Sequence, residues 1–147
     1  MGQNKNVKGV NKKRDKKIVH QERNHDKETP VWCFDKIDKG GTFCFNQDTL
    51  DCKFLIGKFI SLNGMTWAKI RQATHDNGKT KHHSLDYDGI SADGKARIKA
   101  KGIDEEDYDA IYSIALTNMH RLIGLKMDRV FHVIWNDENH KFYPVKR

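Results

Sequence analysis

The sequence has few cysteines and no long apolar run, and both scarcities exclude classes of protein. Cys33, Cys44 and Cys52 are odd in number and include no C-x-x-C pair. We therefore expect reduced core residues rather than a disulfide framework or a cysteine-rich zinc site. No segment approaches the roughly 18 apolar residues of a membrane-spanning helix, and the charged N-terminus is not followed by the apolar stretch of a secretory signal. These absences favour a cytoplasmic protein without a membrane partner.

Apolar residues are also scarce, at 37% of the 147 residues, which suggests that part of the chain does not join a core. Residues 1–28 hold nine of the 27 Lys/Arg but only four of the 20 Asp/Glu, so most of the net charge of +7 lies there. We interpret residues 1–28 as a disordered basic arm and residues 29–147 as one domain.

A basic arm is suited to polyanions, because cations that neutralise phosphates release counterions. Its densest charges, which we take as a nucleic-acid-binding segment, are Lys12, Lys13, Arg14, Lys16 and Lys17. A solubilising tail that binds nothing in particular is an equally good interpretation.

The apolar pattern of the domain predicts an α+β fold. Residues 31–34 and 42–45 are β-rich runs around two glycines, which is typical of a hairpin. Apolar residues recur at helical spacing over residues 49–62. Two further helices are predicted after Thr66 and Ser91, whose side chains can cap them.

The C-terminal third alternates apolar and polar residues, which predicts an antiparallel β-meander. Turns near residues 118–119 and 126–128 separate three strands, and residues 140–145 can add an edge strand that tolerates Pro144. A lone small sheet is not stable, so helices must cover one face. The prediction is N-terminal helices packed on a C-terminal antiparallel three- or four-stranded β-meander, preceded by a disordered basic arm.

Histidine is abundant, and it both gives and takes protons near neutrality. A polar loop holds His75, His82 and His83 with Lys79 and Lys81. The adjacent His82 and His83 would point to opposite faces of a strand, so they are poorly placed to bind one metal ion. We expect no metal and no other cofactor; a zinc site that joins one of these histidines to a cysteine is a weaker alternative.

His120 and Arg121 open a central strand of the meander, where Arg121 would face one side of the sheet and His120 the other. A partly buried arginine is costly unless it is paired. Its partner is either a phosphate or a carboxylate, for which the candidates are Asp109, Asp128 and Asp137.

The last turn carries Trp135, Asp137 and His140 as W-x-D-x-x-H. Asp137 could orient His140 as a general base, and Trp135 could stack a base. Equally, Asp137 is a good turn residue and Trp135 a good core residue. We group the three with His75, Lys79 and Lys81 as candidate substrate contacts, although the loop is more typical of a hairpin end than of a catalytic centre.

Several of these segments resemble a poorly characterised group of small bacterial and phage-borne proteins. The shared features are a T-W-x-x-I segment, a His-rich loop, an arginine before a glycine-containing strand and an F-x-x-x-W-x-D strand, here Thr66, Trp67, Ile70, Arg121, Gly124, Phe131, Trp135 and Asp137. The resemblance covers about residues 30–147. More distantly, helices followed by an antiparallel meander are similar in topology to the RelE-like and barnase-like ribonuclease toxins.

Two hypotheses for function follow. The first is a toxin-like, metal-independent endoribonuclease, in which His82 or His83 exchanges protons with His120 while Arg121 holds phosphate. Its partners would be RNA and a cognate antitoxin or target protein. The alternative is a non-catalytic nucleic-acid- or protein-binding module, such as a phage- or plasmid-encoded inhibitor, in which the histidines are structural.

Overall fold

The computed structural model describes residues 25–145, so most of the predicted basic arm, including its five densest charges, lies outside the described residues. Residues 25–28 contact the folded domain. The Asp26 carboxylate pairs with Arg71, and the backbone carbonyl of Glu28 accepts a hydrogen bond of 2.9 Å from Trp67 N–H. Contacts with the domain therefore begin a few residues before the boundary predicted at residue 29.

The centre of the fold is a mixed five-stranded sheet. Its order is β1-β5-β4-β3-β2, with β1 at Val31–Cys33, β2 at His82–Ser84, β3 at Ile111–Ala115, β4 at Arg121–Met127 and β5 at Val130–Asp137. The antiparallel meander β3-β4-β5 is confirmed. Short strands extend it at both edges, since β2 pairs antiparallel with β3 and β1 pairs parallel with β5.

Two predicted strands are wrong. Residues 42–45 do not pair with residues 31–33, because β1 takes β5 as its partner and Phe43 enters the core instead. Residues 140–145 form no edge strand. There Phe142 is fully buried, and its backbone carbonyl accepts a hydrogen bond of 2.9 Å from Ser91 N–H.

Three α-helices are described: α1 at Cys52–Asn63, α2 at Trp67–Gln72 and α3 at Ala92–Ala100. Thr66 and Ser91 cap α2 and α3 as predicted, each accepting from a backbone N–H three residues on. The first helix begins later than predicted, because Asp51 is its cap. Short 3₁₀ helices span Tyr87–Gly89 and Glu105–Ala110. Within residues 25–145, no helix is long and apolar enough to cross a membrane.

Both faces of the sheet are covered, rather than one. On one face, Leu55 of α1 and Trp67 of α2 pack in a cluster with Leu122. On the other face, Ile98 of α3 and Phe142 pack in a cluster with Ile123. The helices are therefore divided between two layers, with the sheet buried between them.

A β-bulge in β5 decides which face the last strand residues occupy. Ile123 lies opposite Trp135 while Gly124 lies opposite Val133, so Ile134 is the extra residue. Gly124 permits this close approach, since a Cβ there would lie 1.9 Å from the carbonyl oxygen of His132. As a result Ile134 and Trp135 both join the cluster on the α3 face.

Candidate functional site

A cleft of about 1090 Å³ opens at the β2 edge of the sheet, on the α3 face. Segments from three parts of the chain line it: the turn region 75–81, strands β2 to β4 and the C-terminal residues 140–145. Its basic side chains are His75, Lys79, Lys81, His83, Arg121 and His140. Asp76 is the one acidic residue among the described residues that line it. The cleft is therefore electropositive, and we refer to it as the basic cleft.

A small hairpin over residues 73–81 places the loop cations at the cleft. Thr74 and Thr80 form an isolated antiparallel bridge, and His75 N–H donates to the carbonyl of Lys79 over 2.8 Å. Gly78 adopts a φ of +84°, a left-handed conformation that glycine adopts without strain. The hairpin brings His75, Lys79 and Lys81 to one wall of the cleft.

Arg121 lies at the start of β4 and is only 7% exposed. Its Nη1 donates to the backbone carbonyls of Thr117 at 2.7 Å and His120 at 3.3 Å. Burial lowers the pKa of the guanidinium, and the nearby Asp137 partly opposes this. An arginine nevertheless stays charged at any ordinary pH.

No carboxylate within residues 25–145 forms an ion pair with Arg121. Asp137 is its cross-strand neighbour. The Asp137 oxygens, however, accept hydrogen bonds from the backbone N–H groups of Lys141 at 3.0 Å and Phe142 at 2.8 Å. Of the two predicted kinds of partner for Arg121, a carboxylate ion pair is thus not found within residues 25–145, and Asp137 instead accepts hydrogen bonds from the last turn.

Three imidazoles share the cleft with Arg121. Burial lowers the pKa of His75 and of His140, and the positive charge of Arg121 lowers both further. The Nδ1 of His83 lies 2.9 Å from the carbonyl oxygen of Ser84, so Nδ1 must carry the proton. The Nε2 of a neutral His83 is then a proton acceptor.

His82 faces away from the cleft, because consecutive strand residues point to opposite faces. It is 5% exposed, and its Nδ1 accepts a hydrogen bond of 3.1 Å from Ala115 N–H. Burial is the main cause that lowers its pKa to about 4. The structure thus decides between the two adjacent histidines: His83 lines the cleft and His82 is a core residue.

His120 lies on the opposite face of the sheet from Arg121, as the strand alternation predicts, so the two do not share one site as the ribonuclease hypothesis required. Its ring stacks on Phe54 of α1, with centroids 5.7 Å apart, and its Nε2 is hydrogen-bonded to Asn136. The strand alternation that turns Arg121 into the cleft turns His120 away from it.

Trp135 is a core residue and not a base-stacking platform. It is fully buried, and its indole N–H donates over 2.8 Å to Asp38. Asp38 in turn accepts two hydrogen bonds of 2.9 Å from Arg97. Of the W-x-D-x-x-H residues, only His140 lines the cleft, at a φ of +56°.

Ser113 and Tyr143 are among the cleft residues that were not predicted from the sequence. Ser113 of β3 is 3% exposed and lies opposite His83, and the ring of Tyr143 lies 6.1 Å from the His83 ring. A serine within an otherwise apolar buried strand was the available signal for Ser113. No sequence pattern marks Tyr143, because residues 140–145 are predicted to form an edge strand.

No family model, no curated protein and no solved structure matches the chain. The resemblance to small bacterial and phage-borne proteins therefore stays a prediction.

Proposed function

We propose that the chain is a toxin-like, metal-independent endoribonuclease whose basic cleft binds the RNA phosphate that is cleaved. The observation that supports this most is Arg121, a buried guanidinium that lines the cleft without a carboxylate ion pair among the described residues. Burying a cation without a counterion costs free energy, and a phosphate that enters the cleft would recover it.

The hydrogen bonds of Arg121 suit phosphate binding. Two bonds from Nη1 to the carbonyls of Thr117 and His120 fix the plane of the guanidinium. A guanidinium has five N–H donors, so the donors that remain can bind two phosphate oxygens side by side. In the transition state, the same contact would stabilise the charge that develops on the non-bridging oxygens.

Acid–base chemistry is assigned to His83 together with His75 or His140, in place of His82 and His120. One neutral imidazole removes the proton of a ribose 2′-OH, whose oxygen attacks the adjacent phosphorus. The 5′-oxygen leaves with a proton from a second imidazole, which gives a 2′,3′-cyclic phosphate and a 5′-hydroxyl. Substrate phosphates would raise the lowered pKa values of His75 and His140, which makes protonation of the second imidazole easier.

RNA and a second protein are the partners that we propose for the chain. The basic arm, through Lys12, Lys13, Arg14, Lys16 and Lys17, would add non-specific affinity for RNA. A cognate antitoxin or target protein would bind the folded domain. The alternative, a non-catalytic binding module, would use the same cleft for a nucleic acid that it does not cut.

The test is cleavage of RNA by the full chain in the presence of EDTA, for wild type, Arg121→Gln and Arg121→Lys. We expect Arg121→Gln to lower the rate by about 100-fold or more. Arg121→Lys should be less impaired, because it keeps the charge but loses the planar fork. Thermal unfolding of each variant controls for folding.

The proposal fails if the folded wild-type chain cuts no RNA at any pH between about 5 and 8, the range in which histidine changes charge. Tight RNA binding without cleavage would favour the binding module instead.

A further inference from the structure

A second group of polar side chains lies at the opposite edge of the sheet, where β1 pairs with β5. Cys33 of β1 is the direct neighbour of His132 of β5. Asp35 follows in a turn that is closed by a hydrogen bond of 3.4 Å from Ile37 N–H to the carbonyl of Phe34. Just after the turn, Asp38 N–H donates over 3.0 Å to the carbonyl of Ile134, so the turn is attached to β5 at both ends.

The three side chains converge on one point. The Cys33 Sγ lies 3.0 Å from Asp35 Oδ1, and the His132 Nδ1 lies 2.9 Å from the same oxygen. All three potential ligand atoms lie within 4.8 Å of one another. Only 16% of the His132 side chain is exposed, so its position is fixed by packing against β1.

We propose that Cys33, Asp35 and His132 form a binding site for a divalent transition-metal ion, with Zn²⁺ as the best fit. Zinc takes sulfur at about 2.3 Å and nitrogen or oxygen at about 2.0–2.2 Å. In a tetrahedron these lengths place neighbouring ligand atoms roughly 3.2–3.8 Å apart. The observed separations need only small side-chain movements to reach that geometry.

The donor set selects the class of metal. Thiolate and imidazole are ligands for zinc and similar transition metals, whereas magnesium and calcium prefer oxygen alone. Asp35 is more than half exposed, so the fourth position of a tetrahedral ion would face solvent. Three protein ligands with one open position is the pattern of an accessible zinc site rather than of a closed structural one.

The proton balance of binding is simple. In the metal-free chain, the thiol of Cys33 and the Nδ1–H of His132 both donate to the Asp35 carboxylate. An incoming ion displaces the thiol proton to solvent, and the His132 proton moves to Nε2 so that Nδ1 can coordinate. One proton is released for each ion bound.

The metal site is independent of the proposed ribonuclease. The sheet order β1-β5-β4-β3-β2 puts the cluster at one edge and the basic cleft at the other. Metal binding can therefore be present while RNA cleavage is absent, or the reverse.

The test is a titration of the reduced full chain with Co²⁺, whose bond to a thiolate gives a charge-transfer absorption band. We expect one Co²⁺ per chain, displacement by Zn²⁺, and loss of the band in Cys33→Ser. Asp35→Asn and His132→Gln should each weaken binding at least about tenfold. Cys52→Ser is the matched control, because Cys52 is an exposed cysteine outside the cluster, and it should leave the band unchanged.

Zinc should also raise the unfolding temperature of wild type but not that of Cys33→Ser, since a ligand that binds only the folded state stabilises it. The proposal is overturned if one equivalent of Co²⁺ gives no thiolate band, or if the band survives in Cys33→Ser. Equal affinity in Asp35→Asn and His132→Gln would likewise remove these residues from the site.

Discussion

Burial lowers the pKa of both Arg121 and His82, but only Arg121 stays charged at neutral pH. Arg121 and His82 are both almost fully buried, and burial lowers the pKa of each. Arg121 keeps its charge because the ordinary pKa of a guanidinium lies so far above neutrality. His82 is neutral at pH 7 and accepts a backbone hydrogen bond from Ala115. The Arg121 guanidinium is therefore available to an anion in the cleft, whereas His82 affects only the stability of the fold.

His82 should make the fold sensitive to mild acid. The unfolded chain binds a proton at this position below pH 6.5, while the folded chain does so only below about pH 4. The contribution of His82 to the free energy of unfolding should therefore be fully present above pH 6.5. It should be lost as the pH drops from 6.5 to about 4. The full loss is about 3 kcal/mol.

Urea unfolding at several pH values compares wild type with His82→Asn, whose side-chain oxygen can still accept from Ala115 N–H. We expect the loss of unfolding free energy between about pH 7 and pH 4.5 to be smaller in the variant by about 2–3 kcal/mol. Identical pH dependence in the two proteins would show that His82 is not held neutral.

At the scale of elements, the helices, the meander and the β-rich run at residues 31–34 were predictable from local signals, whereas strand β2 and the partner of β1 were not. Capping side chains and apolar spacing mark α2 and α3, and strict alternation marks the meander. Strand β1 has only three residues and is defined by its pairing with residues about 100 positions later, Val31 with Val130. No local pattern carries that information.

The bulge in β5 also limited what the sequence could predict, because it changes the face that the last strand residues occupy. Simple alternation groups Trp135 with Phe131 and Val133, but the extra residue Ile134 moves Trp135 to the α3 face. A glycine inside a strand can mark such a bulge, and here Gly124 lies directly opposite it. Gly124 is therefore a sequence signal for a bulge, but the extra residue can be identified only from the strand register.

The hairpin over residues 73–81 should supply salt-dependent affinity for RNA. Lys79→Ala with Lys81→Ala removes two cleft charges, and the control pair Lys53→Ala with Lys99→Ala removes two exposed charges outside the cleft. Each lost phosphate contact should lower the slope of log affinity against log salt by about 0.7 for single-stranded RNA.

Binding of a short RNA, measured by fluorescence anisotropy at several salt concentrations, checks this expectation. The Lys79/Lys81 pair should reduce the slope by about 1.4, while the Lys53/Lys99 pair leaves it unchanged. Equal effects of the two pairs would mean that RNA contacts the surface without preference for the cleft.

For the whole molecule, the sequence identified the right kinds of side chain but not their grouping. His75, Lys79, Lys81, His83, Arg121 and His140 were all named as site residues, and the basic cleft brings all six together. His82, His120, Trp135 and Asp137 were also named, and each has a structural role instead. His82 and His120 lie on the opposite face of the sheet from the cleft, whereas Trp135 lies on the α3 face but is buried in the core, and Asp137 is bonded to the last turn.

Face and register are properties of the assembled sheet. The cleft forms where β2 joins β3 and where the C-terminal segment packs beside them, and neither contact has a local sequence signal. The same holds for Cys33 and His132, which become neighbours only because β1 runs parallel to β5. A sheet assembled from distant segments therefore creates both candidate sites.

The most direct test of the account compares the rate of RNA cleavage by His83→Ala and His120→Ala in EDTA. Both variants remove one imidazole, but only His83 lies on the face of Arg121. We expect His83→Ala to lower the rate by about 100-fold or more, as the loss of a general acid or base does, and His120→Ala to stay close to wild type. Loss of cleavage in His120→Ala with activity retained in His83→Ala would contradict the assignment of the chemistry to the basic cleft.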